Sequence, residues 1–292
     1  MRARAFRGTL RSLLSLAGDV RESDLVLFHR TFLKPKYLAF VRLLGSMILF
    51  DFDDLITHQL DGTAVVSSQE RFQQMLDSSS AVICGNQFLK TRVPSSTRSL
   101  VLPSPVPMEV PRANLAERAG PLRIGWVGLG HNLVYLDELV PTLRDLARSY
   151  EIELVLLSDK TMKIDGVRVE HVPWQLETQE SVIATFDVGI MPLPSESDFS
   201  KGKCAYKVLQ YMAAEVPAVA TAIGMNLEVI EHGVTGFLAS DESGWHVCLE
   251  TLLSDRELRA SVGRAGRRSI ERDYSYEAYA AKLAGFLHTV AP

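Results

Sequence analysis

Residues 186–221 read FDVGIMPLPSESDFSKGKCAYKVLQYMAAEVPAVAT. The apolar run that ends at Pro192 and Pro194 predicts a buried strand, and a polar loop follows it. Helical periodicity begins close to Gly202 and leads into a second strand, PAVAT. This order of strand, loop, helix and strand is typical of a parallel sheet covered by helices.

The same alternation extends in both directions along the chain. Strand candidates before Gly120 are DLVLF, MILF, AVIC and SLVL, and those after it are LRIGWVG, IELVLLS, VRVEHVPW, DVGIMPLP, PAVAT and TGFLAS. The proline-rich segment PSPVPMEVPRANLAERAGP lies between the two series and has the composition of a linker. The sequence therefore predicts an α/β fold with two Rossmann-like domains, residues 1–120 and 121–273.

Composition sets limits on the class of protein. The chain has 292 residues, 47% of them hydrophobic, which is enough apolar area for two cores. The net charge of −4 argues against nucleic acid as a partner. Three distant cysteines predict neither a disulfide nor a structural zinc site. Their spacing fits reduced thiols in a cytoplasmic protein. The apolar runs are strand-sized and predict no membrane-spanning helix.

The first stretch, MRARAFRGTLRSLLSLAG, is basic and amphipathic at helical spacing. One interpretation is peripheral contact with the anionic inner surface of a membrane. The other, which we favour, is an ordinary helix packed on a sheet.

Two lysines near the predicted helix start carry the functional argument. Lys203 and Lys207 are four residues apart, which predicts that they lie on the same helical face near its N-terminal end. There they would repel each other and oppose the helix dipole. A bound phosphate would resolve both conflicts, and Gly202 would allow it close to the backbone. The alternative is that both lysines point into solvent. Gln210 continues the same face, and we favour the phosphate interpretation.

The second half resembles the donor-binding domain of the GT4 family of retaining glycosyltransferases, also called glycosyl transferases group 1. The resemblance covers residues from Leu122 to the C-terminus and rests on IGWVG, FDVGIMPLP, GKCAYKVLQYMA with PAVAT, GMNLEVIEHGVTGFL and RAGRRSIERDYSYE. The chain is identified as a member of a branch with a GKC-x-x-K helix. The resemblance implies a GT-B fold, with two Rossmann-like domains facing each other across a cleft.

In that family two carboxylates, eight positions apart, contact the transferred sugar and the ribose of the donor. Gly202 and Gln210 stand at these positions, so both acids are absent, although Gln210 can still hydrogen-bond a diol. A carboxylate from the preceding loop would substitute for the first one, either Asp198 or Glu196. Glu215 replaces the glycine that usually ends the helix, at a cost of about 1 kcal/mol if its backbone is left-handed.

The resemblance assigns Lys203 or Lys207 to the donor diphosphate. A retaining enzyme of this kind needs no protein nucleophile and no metal ion, because the leaving phosphate itself helps to deprotonate the acceptor hydroxyl. The implied donor is a nucleoside-diphosphate sugar, with no other cofactor. The implied acceptor is a hydroxyl of a glycan, a lipid-linked sugar or a small molecule.

Two further positions are expected to contact the donor. After the first strand of the second domain, Gly128 opens a loop in which His131 would contact phosphate; alternatively the glycines make a tight turn, and His131 and Asn132 cap the next helix. Trp174 follows the strand EHVP, whose end contacts the nucleobase in the family. Its indole would cover the base or, alternatively, pack in the core. We favour recognition of the base by the backbone, because that needs no particular side chain.

In the first half of the chain, polar residues directly follow two of the predicted strands. Asp51, Asp53 and Asp54 follow MILF, and His29 follows DLVLF. An acidic cluster of this kind can hold a metal ion in GT-A glycosyltransferases, or serve as nucleophile and acid in dehalogenase-like phosphatases. Neither alternative finds the partners that it needs elsewhere in the sequence. We expect His29 and Asp53 to orient sugar or acceptor hydroxyls at the cleft, without metal.

Two expectations concern the whole chain. Relative to complete GT4 proteins, the first domain is shortened at its beginning. Residues 274–292 are predicted to form a helix that crosses back to the first domain. The missing acids leave one rival function, a non-catalytic protein that binds nucleotide sugars or glycans.

Overall fold

The protein is described by a computed structural model that covers residues 20, 22–58, 63–113, 120–194 and 197–290. The basic N-terminal segment and Glu196 lie outside the described residues. The chain forms two compact units. The first comprises the described residues through Pro103, Gly202–Cys204 and the end of the chain from Ala280, and the second comprises Ser104–Lys201 and Ala205–Tyr279.

The first unit contains a parallel sheet of four strands in the order β1-β2-β3-β4. The strands are β1 Leu25–His29, β2 Met47–Phe52, β3 Ala81–Cys84 and β4 Ser99–Val101. Its helices are α1 Pro35–Leu43, α2 Val66–Ser78 and α3 Gln87–Lys90. Because β3 is buried along its whole length, it appears in the sequence as an unbroken apolar run, AVIC.

The core of this unit is rich in aromatic rings. Phe50 and Phe52 of β2 pack against Phe72 of α2, with ring centroids 5.8 and 4.9 Å from it. All four predicted strands are present. Helix α1, which the sequence analysis did not identify, begins with a proline in its first turn, a position where a missing backbone N–H costs nothing.

The second unit contains a parallel sheet of six strands in the order β10-β9-β8-β5-β6-β7. They are β5 Leu122–Val127, β6 Ile152–Ser158, β7 Arg168–Pro173, β8 Val188–Met191, β9 Ala218–Thr221 and β10 Phe237–Ala239. The strand order reverses between β5 and β8. In doubly wound sheets the carboxyl edge at this reversal is where ligands bind.

Helices connect these strands, and all six predicted strands are present. A 3₁₀ helix, Gly130–Leu139, leads directly into α4 Val140–Ser149. The others are α5 Gln179–Ile183, α6 Asp198–Lys201, α7 Tyr206–Ala213, α8 Asn226–Val229, α9 Glu242–Ser254 and α10 Arg256–Asp273. The fold-class prediction of two Rossmann-like parallel sheets is confirmed. The predicted cleft stays a prediction.

The described part of the predicted linker packs on the second unit. Val106 is fully buried, and its N–H donates to the Tyr274 carbonyl at 3.0 Å. The Met108 carbonyl accepts a hydrogen bond from Arg267 at 2.7 Å. The two units accordingly divide after Pro103, before the boundary that we predicted near Gly120.

The last helix is α11, Tyr276–Val290, and its part from Ala280 onward belongs to the first unit. That it ties the two predicted domains together stays a prediction. Among the described residues, every helix is too short or too polar to cross a membrane.

Candidate functional site

The GKC segment differs from its prediction. Helix α6 ends at Lys201 and α7 begins only at Tyr206, so Lys203 lies outside both helices. Ala205, the residue before α7, has a left-handed backbone with φ 50°. That conformation cannot continue a right-handed helix, so the prediction that Lys203 and Lys207 share one helical face is wrong.

Lys207 occupies the first turn of α7. No side chain makes a capping hydrogen bond at this helix start. The Lys207 ammonium lies 5.7 Å from the centre of the Trp126 ring, near the end of β5. A strained backbone at Ala205, an uncapped helix start and a lysine together suit an anion.

Gly128 explains why the lysine and the end of β5 can come so close. A Cβ at this position would lie 2.7 Å from the Trp126 ring and 3.1 Å from Lys207 Cε. Any side chain larger than hydrogen would therefore displace the lysine stem. Gly128 thus keeps the space beside Lys207 open, and its contact with a donor stays a prediction.

A hydrogen bond to Asp159 stabilises the turn after Gly128. Asp159 accepts a hydrogen bond from the Gly130 N–H at 2.5 Å, and this bond lowers the pKa of the Asp159 carboxyl. The residue at the helix cap is Leu129, and no side chain bonds there. The alternative that His131 and Asn132 cap the helix is therefore wrong. His131 is exposed in the first turn, and its contact with phosphate stays a prediction.

Trp174 and Gln210 meet through a residue that the sequence analysis missed. Gln179 Oε1 accepts hydrogen bonds from Trp174 Nε1 at 3.2 Å and from Gln210 Nε2 at 3.3 Å. The Trp174 side chain is 43% exposed, so the alternative that its indole packs in the core is wrong. The structure brings together two of the predicted donor-binding residues at one place in the second unit.

Tyr206 adds a second polar aromatic residue, after Trp174, to this neighbourhood. Burial raises the pKa of its phenol, and the nearby Tyr276 and Glu180 raise it further. Glu180 also accepts a hydrogen bond from Gln179 Nε2 at 3.1 Å. The sequence offered only one indication of this role, the aromatic residue type at position 206. The proximity of Tyr206 to Glu180 and Tyr276 depends on the fold.

Asp198 starts α6, and its carboxylate pairs with Lys201 at 3.1 Å on the surface. Gly202 follows this helix and is buried. The structure thus describes one of the two acids proposed to replace the missing carboxylate, and Glu196 lies outside the described residues. The contact of Asp198 with a sugar stays a prediction.

Lys203 belongs to the first unit. Its carbonyl accepts a hydrogen bond from Asn86 Nδ2 at 3.0 Å, and the next residue, Cys204, donates its thiol to the Asp53 carbonyl at 2.5 Å. Burial lowers the pKa of the Lys203 ammonium, while the charge of Asp54 opposes that shift. These partners are more than a hundred positions away in the sequence, so local spacing could not predict them.

The carboxyl ends of β1 and β2 hold a charged cluster. In the register of these strands His29 lies beside Asp51, and His29 Nδ1 is 2.8 Å from Asp51 Oδ2. Arg30, with φ 49°, pairs with Asp53 at 3.3 Å and with Asp54 at 3.6 Å. Burial raises the pKa of Asp51, and the hydrogen bond with His29 works against it.

This cluster pairs its carboxylates with the His29 ring and the Arg30 guanidinium. Among the described residues, no group of three or more His, Cys, Asp or Glu side chains is arranged to hold a metal ion. The three cysteines are free thiols. His29 and Asp53, predicted as acceptor-side residues, therefore lie in one polar cluster with Arg30 at the edge of the first sheet.

Comparison with known proteins finds a family match that falls mainly in the second unit. Residues 122–255, a little under half of the chain, match the model of the family described as "Glycosyl transferases group 1". Human alpha-1,3/1,6-mannosyltransferase ALG2 is 34% identical over 76 residues, which are 26% of this chain and 18% of that protein. The chain thus matches less than a fifth of the length of this curated relative.

Solved structures extend the likeness to nearly the whole chain. A sucrose-phosphate synthase from Thermosynechococcus elongatus superimposes with a TM-score of 0.71 at 13% identity, over 97% of this chain and 80% of that one. A glycosyltransferase from Rickettsia africae gives a TM-score of 0.71 at 13% identity, over 99% and 84%. Anabaena HepE, solved with UDP and glucose, gives 0.68 at 14%, over 98% and 84%. The fold is that of GT-B glycosyltransferases.

Proposed function

We propose that this chain, which carries a glycosyl transferases group 1 domain at residues 122–255, moves a sugar from a nucleoside-diphosphate sugar to a hydroxyl acceptor. The observation that carries the proposal is the uncapped start of α7, with Lys207 in its first turn beside Gly128. Lys207 and the first N–H groups of α7 bind the donor diphosphate. Lys203 adds positive charge to the same group.

The nucleoside binds at the Trp174 and Gln210 side chains. The exposed indole stacks on the base, and Gln210 meets the ribose hydroxyls. His131 contacts phosphate from the turn after β5, and Asp198 with the backbone at Gly202 contacts the transferred sugar. A UDP sugar is the first donor to test, because HepE, which has a similar fold, was solved with UDP.

Transfer proceeds with retention of the anomeric configuration. The bond between the anomeric carbon and the phosphate oxygen breaks, and its electron pair goes to the diphosphate. The acceptor oxygen forms its bond on the same face, and the acceptor proton passes to the departing phosphate oxygen. The lysines stabilise the charge on that leaving group, so the reaction needs no metal ion.

The acceptor hydroxyl is oriented by His29 and Asp53. Asp51 engages His29 Nδ1, which leaves Nε2 as the ring nitrogen that meets a hydroxyl. Carboxylates and an imidazole suit hydroxyl groups of a glycan, a lipid-linked sugar or a small molecule. Within this cluster Arg30 pairs with both Asp53 and Asp54.

One observation favours a second candidate, a non-catalytic protein that binds nucleotide sugars or glycans. Gly202 and Gln210 occupy the two positions where the GT4 pattern has carboxylates. Incubation of purified protein with UDP-, GDP- and ADP-sugars, with and without simple sugar acceptors, separates the two functions. Release of the nucleoside diphosphate with a new glycoside supports transfer, whereas saturable binding without release supports the rival.

A further inference from the structure

We infer that Asn86 and Cys204 are positioning residues, which fix the GKC segment of residues 202–204 so that the Lys203 ammonium meets the donor diphosphate. The inference rests on the proposed function. Lys203 lies outside both neighbouring helices, so no helix determines its place. The segment belongs instead to the first unit, and its position depends on the contacts that it makes there.

Asn86 holds the segment by its main chain. This residue lies two positions after β3 ends and is completely buried. Its Oδ1 accepts a hydrogen bond from the Leu89 N–H at 2.8 Å, and its Nδ2 donates to the Lys203 carbonyl at 3.0 Å. A backbone N–H can only donate and a carbonyl can only accept, so the amide has one orientation. Asn86 thus caps α3 and anchors Lys203 at the same time.

Cys204 provides a second anchor on the next residue. Its thiol donates to the Asp53 carbonyl at 2.5 Å, directly after β2 ends. Burial raises the pKa of this thiol well above its usual range, and the charges of Asp53 and Asp54 raise it further. The thiol is therefore protonated at neutral pH and available as a hydrogen-bond donor.

Gly85 makes room for the Cys204 sulfur. A Cβ at position 85 would collide with Cys204 Sγ and would lie 2.9 Å from the Asp53 Cα. The Gly85 N–H donates to the Phe52 carbonyl at 3.0 Å, so this backbone is itself held at the carboxyl ends of β2 and β3. The close approach of Cys204 to the first unit therefore requires glycine at this position.

These anchors restrict the backbone of Lys203 and leave its side chain for a ligand. A lysine whose backbone wanders is ready to bind phosphate for only part of the time, and the apparent affinity falls by that fraction. Loosening either anchor should therefore weaken the binding of a nucleoside diphosphate. Because the anchors act through the lysine, the loss should not exceed that caused by removing the lysine side chain.

The test measures by calorimetry how variants of the full chain bind UDP, GDP and ADP, and compares the nucleotide that the wild type binds most tightly. Asn86→Ser keeps a capping oxygen for α3 but is too short to reach the Lys203 carbonyl, and Cys204→Ala removes the thiol donor. Each should weaken binding about two- to tenfold, the scale of one hydrogen bond, and neither more than Lys203→Ala does. Cys204→Ser keeps a donor and should bind like the wild type.

Double variants separate positioning from a purely structural role. In the Lys203→Ala background, Asn86→Ser and Cys204→Ala should have no further effect on affinity, because each acts through the lysine. Cys248→Ala is the matched control, since this buried thiol lies near the Leu238 carbonyl of the second unit, at 3.7 Å. It should lower the unfolding midpoint and leave nucleotide affinity unchanged.

Wild-type affinity in both Asn86→Ser and Cys204→Ala overturns the inference, and so does the same loss with and without the Lys203 side chain. Thermal unfolding of each variant shows whether the fold is retained. If Asn86→Ser is unfolded, Cys204→Ala and Cys204→Ser decide the test. Failure of the proposed function looks different, because the wild type then binds none of UDP, GDP and ADP, and this inference falls with it.

Discussion

Lys207 is the side chain on which donor binding depends most directly. Replacing it by alanine removes one charge-assisted hydrogen bond to the diphosphate, worth about 1–3 kcal/mol, or roughly 5- to 150-fold in the dissociation constant. The change should not unfold the chain, because Lys207 is only half-buried. Calorimetry with UDP measures the effect, and Lys163→Ala, at an exposed position outside the site, is the control.

If Lys207→Ala binds UDP with wild-type affinity, Lys207 is not part of the donor site. For the companion variant Lys203→Ala, we expect the backbone of the GKC segment to stay in place. Lys203 is held through its backbone carbonyl by Asn86, so truncating its side chain keeps that anchor. A weakened affinity in Lys203→Ala then reports its ammonium group and not a shift of the GKC segment.

Trp174 provides an optical signal for the nucleoside. The other two tryptophans, Trp126 and Trp245, are buried at 1% and 5% exposure, whereas Trp174 is 43% exposed. Acrylamide should therefore quench mainly Trp174, and bound UDP should protect it by stacking on its face. Fluorescence quenching that is the same with and without saturating UDP would contradict the assignment. Trp174→Phe is the variant in which the protection should vanish.

At the scale of elements, two helical glycines predict opposite effects of the same substitution. A Cβ at Gly263 of α10 would collide with the carbonyl oxygen of Glu215, whose backbone is left-handed with φ 60°. A Cβ at Gly285 of α11 meets no atom within 4 Å. Gly263→Ala should destabilise the second unit by about 1–3 kcal/mol. Gly285→Ala should stabilise α11 by up to about 1 kcal/mol.

Differential scanning calorimetry reports both changes as shifts of the unfolding midpoint. A lower midpoint for Gly263→Ala together with an equal or higher one for Gly285→Ala is expected. If Gly263→Ala is as stable as the wild type, α10 does not approach Glu215 as closely as the structure indicates. The left-handed Glu215 itself agrees with the expectation drawn from the glycine that usually ends this helix.

The strands were predictable from sequence, and the junctions between helices were not. Strands such as β6 are buried throughout, so they appear as apolar runs bounded by polar or glycine residues. The break before α7 carries no such mark, because an alanine, Ala205, takes the left-handed conformation that glycine or asparagine normally signals. Lys203 was consequently placed on the wrong element.

Side-chain partners across long sequence separations were also beyond prediction. Gln179 lies 31 positions from Gln210, and nothing in its local pattern distinguishes it from the exposed Gln175. His29 and Asp51 could be assigned to neighbouring strand ends, but their direct contact depends on the register of β1 and β2. Sequence patterns placed these residues at the ends of the right strands. They predicted only part of the side-chain contacts found there.

For the whole molecule, the proposed chemistry predicts independence from metal ions. Transfer should continue after treatment with EDTA, because lysines and helix N–H groups stabilise the leaving diphosphate. A parallel sample with added manganese is the control, and its rate should equal that of the treated enzyme. Loss of transfer in EDTA and recovery with manganese would instead favour a metal site at the Asp51, Asp53 and Asp54 cluster.

The most direct measurement of the central claim follows sugar transfer by proton NMR. Purified protein is incubated with a UDP, GDP or ADP sugar and a hydroxyl acceptor, and the anomeric signals of donor and product are compared over time. We predict one donor that yields a new glycoside with the donor's anomeric configuration, at a rate that Lys207→Ala lowers strongly. A product of inverted configuration would contradict the retaining mechanism, and binding of a donor without any product would contradict glycosyl transfer itself.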